Sequence, residues 1–329
     1  VELGLAEVNP MIERSMNYQI ERLSHEGRGV SHQDGKVVFI TGALPEVSVS
    51  VRVTRKHRRY LEASFESLHS KPHPDRVKPP CQHFGLCGGC VLQHLSPMAQ
   101  VMHKQSVLLE QLRVFGKVEP ETVLEPLLGP TLHYRTKARI GVKYVEKKQK
   151  LLIGFREAQG GKIADLSGCT NLPAKMTELW EPLRQTIMSL DAFRSIPQIE
   201  MAMGGQTLAL VIRHLEPLSE GDKNIWYQFA KKQQISVYLQ PEGPDSVHKL
   251  YPEEGDFYLQ YALKKYQLQY DFHPCEFTQV NPDINQKMIE KTLQLLKIQK
   301  EDRVLDLFCG LGNFSLPLAQ HAEWVVGVE

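Results

Sequence analysis

Three cysteines within ten residues constrain this chain more than any other feature. Cys81, Cys87 and Cys90 follow the spacing C-x5-C-x2-C, and Gly88 and Gly89 occupy the shorter gap. Glycine lets the backbone fold back on itself, so the thiolates of such a loop can converge on one centre. Converging thiolates bind zinc or an iron–sulfur cluster. The loop therefore predicts a metal centre rather than ordinary buried thiols.

A fourth ligand is expected, because both kinds of centre usually have four. The next cysteine, Cys169, also follows a glycine in a polar loop, and we take it as that ligand. Zinc sites more often carry close cysteine pairs on both sides, whereas three clustered cysteines and a distant fourth are typical of a [4Fe–4S] cluster. The spacing favours iron–sulfur and leaves zinc open. A radical S-adenosylmethionine cluster would need C-x3-C-x2-C, which this loop does not have.

Length and composition indicate an intracellular chain of several domains. The 329 residues are enough for two or three domains, and 42% hydrophobic with 23% charged residues is typical of globular proteins. No apolar run approaches the ~18 residues of a membrane span, and clustered cysteines suit a reducing compartment. We expect a cytoplasmic monomer without a membrane contact. Because the chain starts at Val1 and stops at Glu329 inside a nucleotide-binding pattern, we interpret it as a fragment.

The first part of the chain predicts a small barrel. Residues 1–14 show no pattern and are interpreted as a leader, whereas residues 15–70 contain short strands with turn signals such as Asp34-Gly35. Five short strands in this span indicate an OB-like β-barrel. A basic loop that includes Arg58 and Arg59 projects from it, next to a tyrosine. Such a loop is either a solvated hairpin or a contact for nucleic acid, and we favour the second.

A second basic segment runs from Arg135 to Lys162, with nine Lys or Arg against two acids. Arg135, Lys137 and Arg139 alternate, so a strand would place them on one face. The motif Gly-Phe-Arg follows, with Phe155 and Arg156. A cationic face beside an aromatic ring favours RNA or DNA backbone contacts. We assign residues 71–94 and 125–272 to a central iron–sulfur α/β domain, and residues 95–124 to a helix that packs on the last domain.

The last part of the chain predicts the start of a Rossmann-like domain. A strand over 303–307 leads into Cys309-Gly310-Leu311-Gly312-Asn313, and a second strand ends on Glu329. This pattern is typical of nucleotide-binding sheets, where an acid at that position accepts hydrogen bonds from ribose hydroxyls. The third glycine of the dinucleotide motif is replaced by Ser315, and Asp306 precedes the turn. Both details favour S-adenosylmethionine over NAD, and we assign residues 273–329 to the first part of a methyltransferase domain.

Together these motifs resemble the bacterial 23S rRNA (uracil-5-)-methyltransferases that carry an N-terminal TRAM domain. The resemblance rests on the cysteine loop, Tyr134-Arg135-x-Lys137-x-Arg139, Gly-Phe-Arg, Phe277-x-Gln-Val-Asn, and Asp306-Leu-Phe-Cys-Gly-x-Gly-Asn-Phe. It implies a [4Fe–4S] cluster, S-adenosylmethionine and 23S rRNA as partners. It also implies cluster ligands and cofactor contacts at the following positions: Cys81, Cys87, Cys90 and Cys169 for the cluster; Gln279, Phe308, Gly310, Asn313 and Glu329 for the cofactor.

The resemblance also implies a covalent mechanism. A cysteine thiolate adds to C6 of the flipped uracil, C5 then attacks the methyl group, and a base removes the C5 proton. In the family these groups lie downstream of the glycine turn, so we expect them beyond Glu329 and name no catalytic residue. Cys309 lies in the cofactor turn, and Cys275 has no assigned role. The alternatives are a radical RNA methylthiotransferase and an RNA-binding fragment without catalysis.

Overall fold

The computed structural model describes the backbone of residues 14–329 and the side chains of residues 17–329. The predicted leader, residues 1–14, thus lies outside the described residues except at its last position. The chain divides into two units, the first ending at Pro126 and the second beginning at Leu127.

The first unit is built on one six-stranded sheet. Its strands, in chain order, are β1 (Arg14–Gln19), β2 (Arg22–Leu23), β3 (Gly29–Gln33), β4 (Lys36–Thr41), β5 (Ser48–Lys56) and β6 (Tyr60–Leu68). Their order across the sheet is β1-β5-β6-β4-β3-β2, with β4 and β6 parallel and the other neighbours antiparallel. Alternate side chains form its core, as in Val49 and Val51 of β5, both at most 2% exposed. The predicted small β domain is confirmed.

The tight turn between β3 and β4 sets the register of this sheet. Asp34 and Gly35 have φ of +49° and +75°, and Gln33 lies opposite Lys36. A two-residue loop with both φ values positive matches the right-handed twist of the strands that it joins. The hairpin predicted from Asp34-Gly35 is therefore confirmed.

The segment after β6 is anchored to the sheet. The guanidinium of Arg76 donates to the carbonyl of Gly42 at 2.6 Å and lies 4.8 Å from the ring centre of Phe65. Ser96 then caps α1 (Pro97–Gln111), since its hydroxyl accepts from the backbone N–H of Ala99 at 3.4 Å. None of the residues that the structure describes in α1 is buried. The apolar stripe of this helix is therefore not part of a core, and its predicted packing on the methyltransferase domain stays a prediction.

The second unit contains a six-stranded mixed sheet covered by helices. Its strands are β7 (Lys137–Val145), β8 (Lys150–Gly154), β9 (Gln198–Gly204), β10 (Thr207–Arg213), β11 (Ser236–Gln240) and β12 (His248–Tyr251), in the order β12-β11-β10-β9-β7-β8. Three helices accompany them: α2 (Ala174–Thr177), α3 (Trp180–Met188) and α4 (Glu220–Gln233). Because α4 connects β10 to β11, these two strands run parallel.

A hairpin covers part of the other sheet face. It consists of β13 (Leu259–Leu263) and β14 (Leu268–Phe272). Leu259 and Phe272 of the hairpin form one buried cluster with Ala202, Val211 and Tyr238 of the sheet. The sheet is therefore the middle layer of the unit, between helices and hairpin.

The last elements form the start of a parallel α/β arrangement. They are α5 (Pro282–Leu296), β15 (Arg303–Leu307), α6 (Ser315–Ala319) and β16 (Trp324–Val328), and β15 pairs with β16 in parallel. Asn281 caps α5 by accepting from the backbone N–H of Ile284 at 3.2 Å, as predicted. Within the described residues, no helix combines the length and apolar character that a bilayer crossing requires.

Candidate cofactor site and nucleic-acid surface

The turn between β15 and α6 has a left-handed backbone at three positions. Phe308, Gly310 and Gly312 have φ of +61°, +54° and +81°. Gly310 has open space where a Cβ would stand, so its need for glycine comes from the backbone conformation. Phe308 tolerates the same conformation with its ring 91% exposed. The turn therefore presents backbone and an aromatic face to a ligand.

A carboxylate closes this turn. The backbone N–H of Gly310 donates to Oε2 of Glu329 at 2.7 Å, and the N–H groups of Phe308 and Cys309 donate to the carbonyl of Val328. The end of β16 is thereby held beside the turn. A carboxylate has about four acceptor positions, so one backbone N–H leaves room for further donors. The ribose contact of Glu329 stays a prediction.

Asn313 is oriented by a residue that sequence reasoning missed. The side-chain amides of Asn313 and Asn285 each donate to the other's oxygen, at 2.8 and 2.9 Å, and Asn285 is 5% exposed. Each amide keeps one N–H and one lone pair after this exchange. The sequence signal was a polar side chain on the buried stripe of α5.

The hairpin of β13 and β14 also stabilises the turn between β15 and α6. The buried hydroxyl of Tyr270 donates to the carbonyl of Gly312 at 3.2 Å. Asp306, which we expected to face a sulfonium, accepts a hydrogen bond of 2.6 Å from the hydroxyl of Ser315. Asp306 therefore stabilises the turn through its hydrogen bond to Ser315, the residue that replaces the third glycine.

A cavity of about 280 Å³ adjoins this region. Gln279 and Asn285 line it, together with Tyr261 and Leu263 of the hairpin. Gln279 thus shares a cavity with the residue that orients Asn313. Asn285 is the link between Gln279, which shares its cavity, and Asn313, which shares its hydrogen bonds, although Gln279 and Asn313 are 34 positions apart.

The predicted cationic strand is only partly available for a ligand. Strand β7 begins at Lys137, so Arg135 lies outside it, and its Nε donates to the carbonyl of Lys137 at 3.0 Å. The ammonium of Lys137 donates to the carbonyl of Glu276, and burial lowers its pKa. Arg139 pairs with the carboxylate of Glu200 at 2.6 Å. The expectation that one strand carries all three cations is wrong for Arg135, and acceptors within the protein partly use the donors of Lys137 and Arg139.

Phe155 and Arg156, which follow the end of β8 at Gly154, have different surroundings. The ring of Phe155 is half-buried beside Trp180, at 6.3 Å between ring centres. Arg156 is exposed and lines a second cavity together with Arg139. In the first unit, Arg58 and Arg59 are exposed between β5 and β6, beside the stacked rings of His57 and Tyr60. These arginines remain predicted RNA contacts.

The cysteine loop brings its thiols within electrostatic reach of each other. Burial raises the pKa of Cys87, and the neighbouring thiolates of Cys90 and Cys81 raise it further. The backbone N–H of Gly89 donates to Sγ of Cys87 at 3.4 Å, a contact that suits a metal-bound thiolate. Among the described residues, however, no group of three or more His, Cys, Asp or Glu side chains has the geometry of a formed metal site. The loop has the donor chemistry of a cluster site, and the cluster stays a prediction.

The remaining two cysteines have structural surroundings. Cys309 lies against Gly327, where a Cβ would stand 2.8 Å from its sulfur, and its thiol donates weakly to the carbonyl of Gly310 at 3.7 Å. Cys275 lines the second cavity, and burial raises its pKa. Burial therefore favours the protonated, poorly nucleophilic form of Cys275.

Family models match two segments of the chain. The model described as tRNA (Uracil-5-)-methyltransferase matches residues 98–329, and that of the TRAM domain matches residues 16–65. A solved structure, that of Pyrococcus abyssi tRNA (uracil-54, C5)-methyltransferase in complex with S-adenosyl-L-homocysteine, is 22% identical with a TM-score of 0.66. That similarity covers 93% of this chain and 70% of the other, and it shows a shared fold.

Curated relatives are closer in sequence. The 23S rRNA (uracil(1939)-C(5))-methyltransferase RlmD of Hahella chejuensis is 46% identical over 317 residues, which cover 96% of this chain and 71% of the relative. The protein of the same name from Alcanivorax borkumensis is 47% identical over 310 residues, which cover 94% and 69%. The resemblance inferred from the motifs is confirmed. The chain belongs to the tRNA (uracil-5-)-methyltransferase family.

Proposed function

We propose that this protein methylates C5 of a uridine in 23S rRNA, with S-adenosylmethionine as the methyl donor. The observation that carries the proposal is the turn at Gly310, closed by the carboxylate of Glu329 and flanked by the oriented amide of Asn313. The names of the relatives at 46–47% identity supply the substrate, a uridine of 23S rRNA.

The residues of the turn account for donor binding. Glu329 accepts from ribose hydroxyls, the exposed ring of Phe308 packs against the adenine, and Asn313 and Gln279 contact the polar ends of the donor. The donor supplies an electrophilic methyl group on a sulfonium, and the binding residues hold it in line with the base. The fixed N–H of Gly310 keeps the Glu329 carboxylate in place without reorganisation on binding.

C5 of uracil is a poor carbon nucleophile, so we propose the family's covalent activation. A thiolate adds to C6 of the extruded base, C5 becomes enolate-like and takes the methyl group, and a base removes the C5 proton before the thiolate leaves. We do not assign the nucleophile to Cys309, which lies in the cofactor turn, or to Cys275, whose burial favours the neutral thiol. The covalent step requires a thiolate with a lowered pKa.

We further propose a [4Fe–4S] cluster on Cys81, Cys87, Cys90 and Cys169. The thiols of Cys81 and Cys90 lie close enough to Cys87 to raise its pKa, and a bound metal would reverse that cost by favouring the thiolates. The cluster would order the loop rather than take part in methyl transfer. Zinc on the same ligands is the competing assignment, and metal analysis separates the two.

The RNA contacts are proposed at exposed cations on both units: Arg58 and Arg59 beside β5, and Arg156 beside β8. Arg135, Lys137 and Arg139 add positive potential, although their donors are partly used internally. With a TRAM domain over residues 16–65, these positions give the protein a sequence-independent affinity for phosphates. We also propose that the protein is a cytoplasmic monomer and that its domains have the limits predicted in the sequence analysis.

The test is methyl transfer to unmodified 23S rRNA by the purified full-length protein, with donor labelled in its methyl group and RNA labelled with tritium at uracil C5. We expect label in 5-methyluridine and equal release of tritium to water. RNA binding without either signal would favour a binding module. Formation of 5′-deoxyadenosine under reducing conditions would instead indicate radical chemistry.

A further inference from the structure

A second cavity of the second unit, about 490 Å³ in volume, is lined by three arginines. Its walls include Arg139, Arg156 and Arg213, with Gln240 and Glu200 between them. Arg139 and Arg156 lie in the basic segment of the sequence, but Arg213 is far from it in the chain. The tertiary structure alone collects the three guanidinium groups.

Strand register explains why these side chains meet. Gln198 pairs with Arg213, and Arg213 pairs with Gln240, so the three form one row across β9, β10 and β11. Arg139 pairs with Glu200 in the adjacent row, two positions along β9. Side chains two residues apart share a face of a sheet, so both rows project to the same side.

The hairpin leaves this end of the sheet face open. Ala202 and Val211, on the same face, are buried under Leu259 and Phe272 of the hairpin. The rows with Arg139 and Arg213 lie beyond that cover, at the start of β9 and the end of β10. The face thus changes from an apolar, covered half to a polar, accessible half.

The charges in the cavity do not cancel. Nε and a terminal nitrogen of Arg139 both donate to Oε1 of Glu200, at 2.9 and 2.6 Å, which neutralises that carboxylate. Arg213 donates to the carbonyl of Gln240 at 3.0 Å, and Arg156 donates to the carbonyl of Gly161. Neither of these two lies within ion-pair distance of a carboxylate in the described part of the chain. Two positive charges therefore remain, and the neutral thiol of Cys275 does not offset them.

We infer that this cavity binds a phosphodiester group of the RNA strand, held between Arg156 and Arg213. Planar guanidinium groups match phosphate oxygens in pairs, and the amides of Gln198 and Gln240 add donors that suit the same ligand. A free nucleotide or inorganic phosphate has the same chemistry, but an open cavity on a broad sheet face suits a continuous strand better than a small ion.

The place of the cavity relates it to the substrate of the proposed function, on which this inference rests. Glu200 lines the arginine cavity, and Met203 of the same strand lines the cavity that contains Gln279. Three residues of strand span about 10 Å, so Glu200 and Met203 lie about 10 Å apart along β9, with their side chains on opposite faces of the sheet. The bound phosphate would belong to a nucleotide that flanks the methylated uridine, and Arg156 and Arg213 would fix the strand while the base is extruded.

The test compares Arg156→Gln and Arg213→Gln with Lys231→Gln, which removes the same charge from an exposed position of α4. Binding of a 23S rRNA fragment that spans the uridine methylated by the relatives is measured from 50 to 300 mM KCl. Each arginine variant should bind about tenfold more weakly at 100 mM KCl and lose about 0.7 from the slope of log K against log [KCl], since each phosphate contact to a single strand releases that many counterions. Lys231→Gln should match the wild type.

Arg213→Lys keeps the charge and should keep the slope while it weakens binding. If Arg213→Gln fails to fold, Arg213→Lys can be measured in its place. Arg156 is exposed, so Arg156→Gln gives an independent test. The inference would be overturned if Arg156→Gln and Arg213→Gln both kept the wild-type slope of log K against log [KCl]. A second pattern would also overturn it. In that pattern, millimolar uridine monophosphate or inorganic phosphate raises the melting temperature of the wild type but not of the variants, while the variants keep the wild-type salt slope for RNA binding. If the variants give either result while the wild type methylates RNA, only phosphate binding in the cavity is refuted. If the wild type binds no RNA, the proposed function is refuted too.

Discussion

The side-chain amides of Asn285 and Asn313 donate to each other, at 2.9 and 2.8 Å, and so join helix α5 to the turn after β15. Asn285 is 5% exposed, so its amide has lost contact with water and depends on this partner. The turn after β15 is therefore oriented by a helix that precedes it in the chain and by Tyr270 of the hairpin.

Replacement of Asn285 by Ala should lower both stability and donor affinity. Asn313 would lose its partner, at a cost of about 1–3 kcal/mol, and its amide would no longer be held toward the donor. Urea unfolding and calorimetric titration with S-adenosylmethionine measure the two effects. Asn224→Ala, at an exposed site on α4, should change neither. Donor affinity equal to the wild type would show that Asn313 does not need this support.

Replacement of Glu329 by Ala should weaken donor binding by about 10- to 100-fold. The carboxylate accepts from the Gly310 N–H, and hydrogen bonds of charged groups contribute about 1.5–3 kcal/mol each. The matched control is Glu323→Ala, an exposed acid that pairs with Arg303 at 3.5 Å. If titration with the donor gave the same Kd for Glu329→Ala and wild type, the ribose assignment would be wrong.

Replacement of Arg139 by Ala should destabilise the protein more than it weakens RNA binding. The carboxylate of Glu200 has only 9% of its side chain exposed and would be left without a donor, at a cost of about 1–3 kcal/mol. The double variant Arg139→Ala with Glu200→Gln should recover part of that loss, as unfolding midpoints will show. No recovery would mean that the pair does not account for the contribution of Arg139.

Replacement of Cys87 by Ser should abolish the proposed cluster. Wild type purified without oxygen should be brown and contain iron and acid-labile sulfide, and Cys87→Ser should lose both. Cys309→Ser removes a thiol outside the proposed ligand set and should keep the metal content. A colourless wild type that contains zinc would overturn the iron–sulfur assignment and support the alternative.

Stability should fall between pH 6.5 and 4 because of His94. Burial, and then the positive charge of Arg76, lower its pKa to about 4, against about 6.5 in an unfolded chain. In this window the unfolded state binds more protons, so the free energy of unfolding is highest above pH 6.5 and falls, by on the order of 3 kcal/mol, as the pH drops. Urea unfolding across this range should show a flatter profile for His94→Gln. The exposed control His25→Gln should follow the wild type, and an unchanged profile in His94→Gln would exclude His94 as the cause.

Local sequence rules predicted the features that depend on a few adjacent residues. The turn at Asp34-Gly35 and the glycine turn after β15 formed as expected, and the caps Ser96 and Asn281 follow the same local rules. Each depends on backbone conformation or on a hydrogen bond within three residues. Such features are readable because the interacting atoms are covalently close.

Local rules did not predict the partners of the cations on strand β7. Alternation placed Lys137 and Arg139 on one face, but it gave no information on Glu200, 61 positions after Arg139, or on the carbonyl of Glu276. These acceptors use the charges that a strand in isolation would offer to RNA. Arg213 illustrates the reverse case, since a lone arginine at the end of an apolar strand carries no signal until strand pairing sets it beside Gln198 and Gln240.

The sequence by itself determined the family and the strand–turn–helix pattern at Gly310, because each is written in closely spaced residue types whose chemistry is specific. The ligand set of the cysteine loop stays a prediction. The tertiary structure alone decided which arginines keep an unneutralised charge and which amide orients Asn313. Those outcomes depend on sheet register and on the layer that covers each face, and both arise from contacts between residues far apart in the chain.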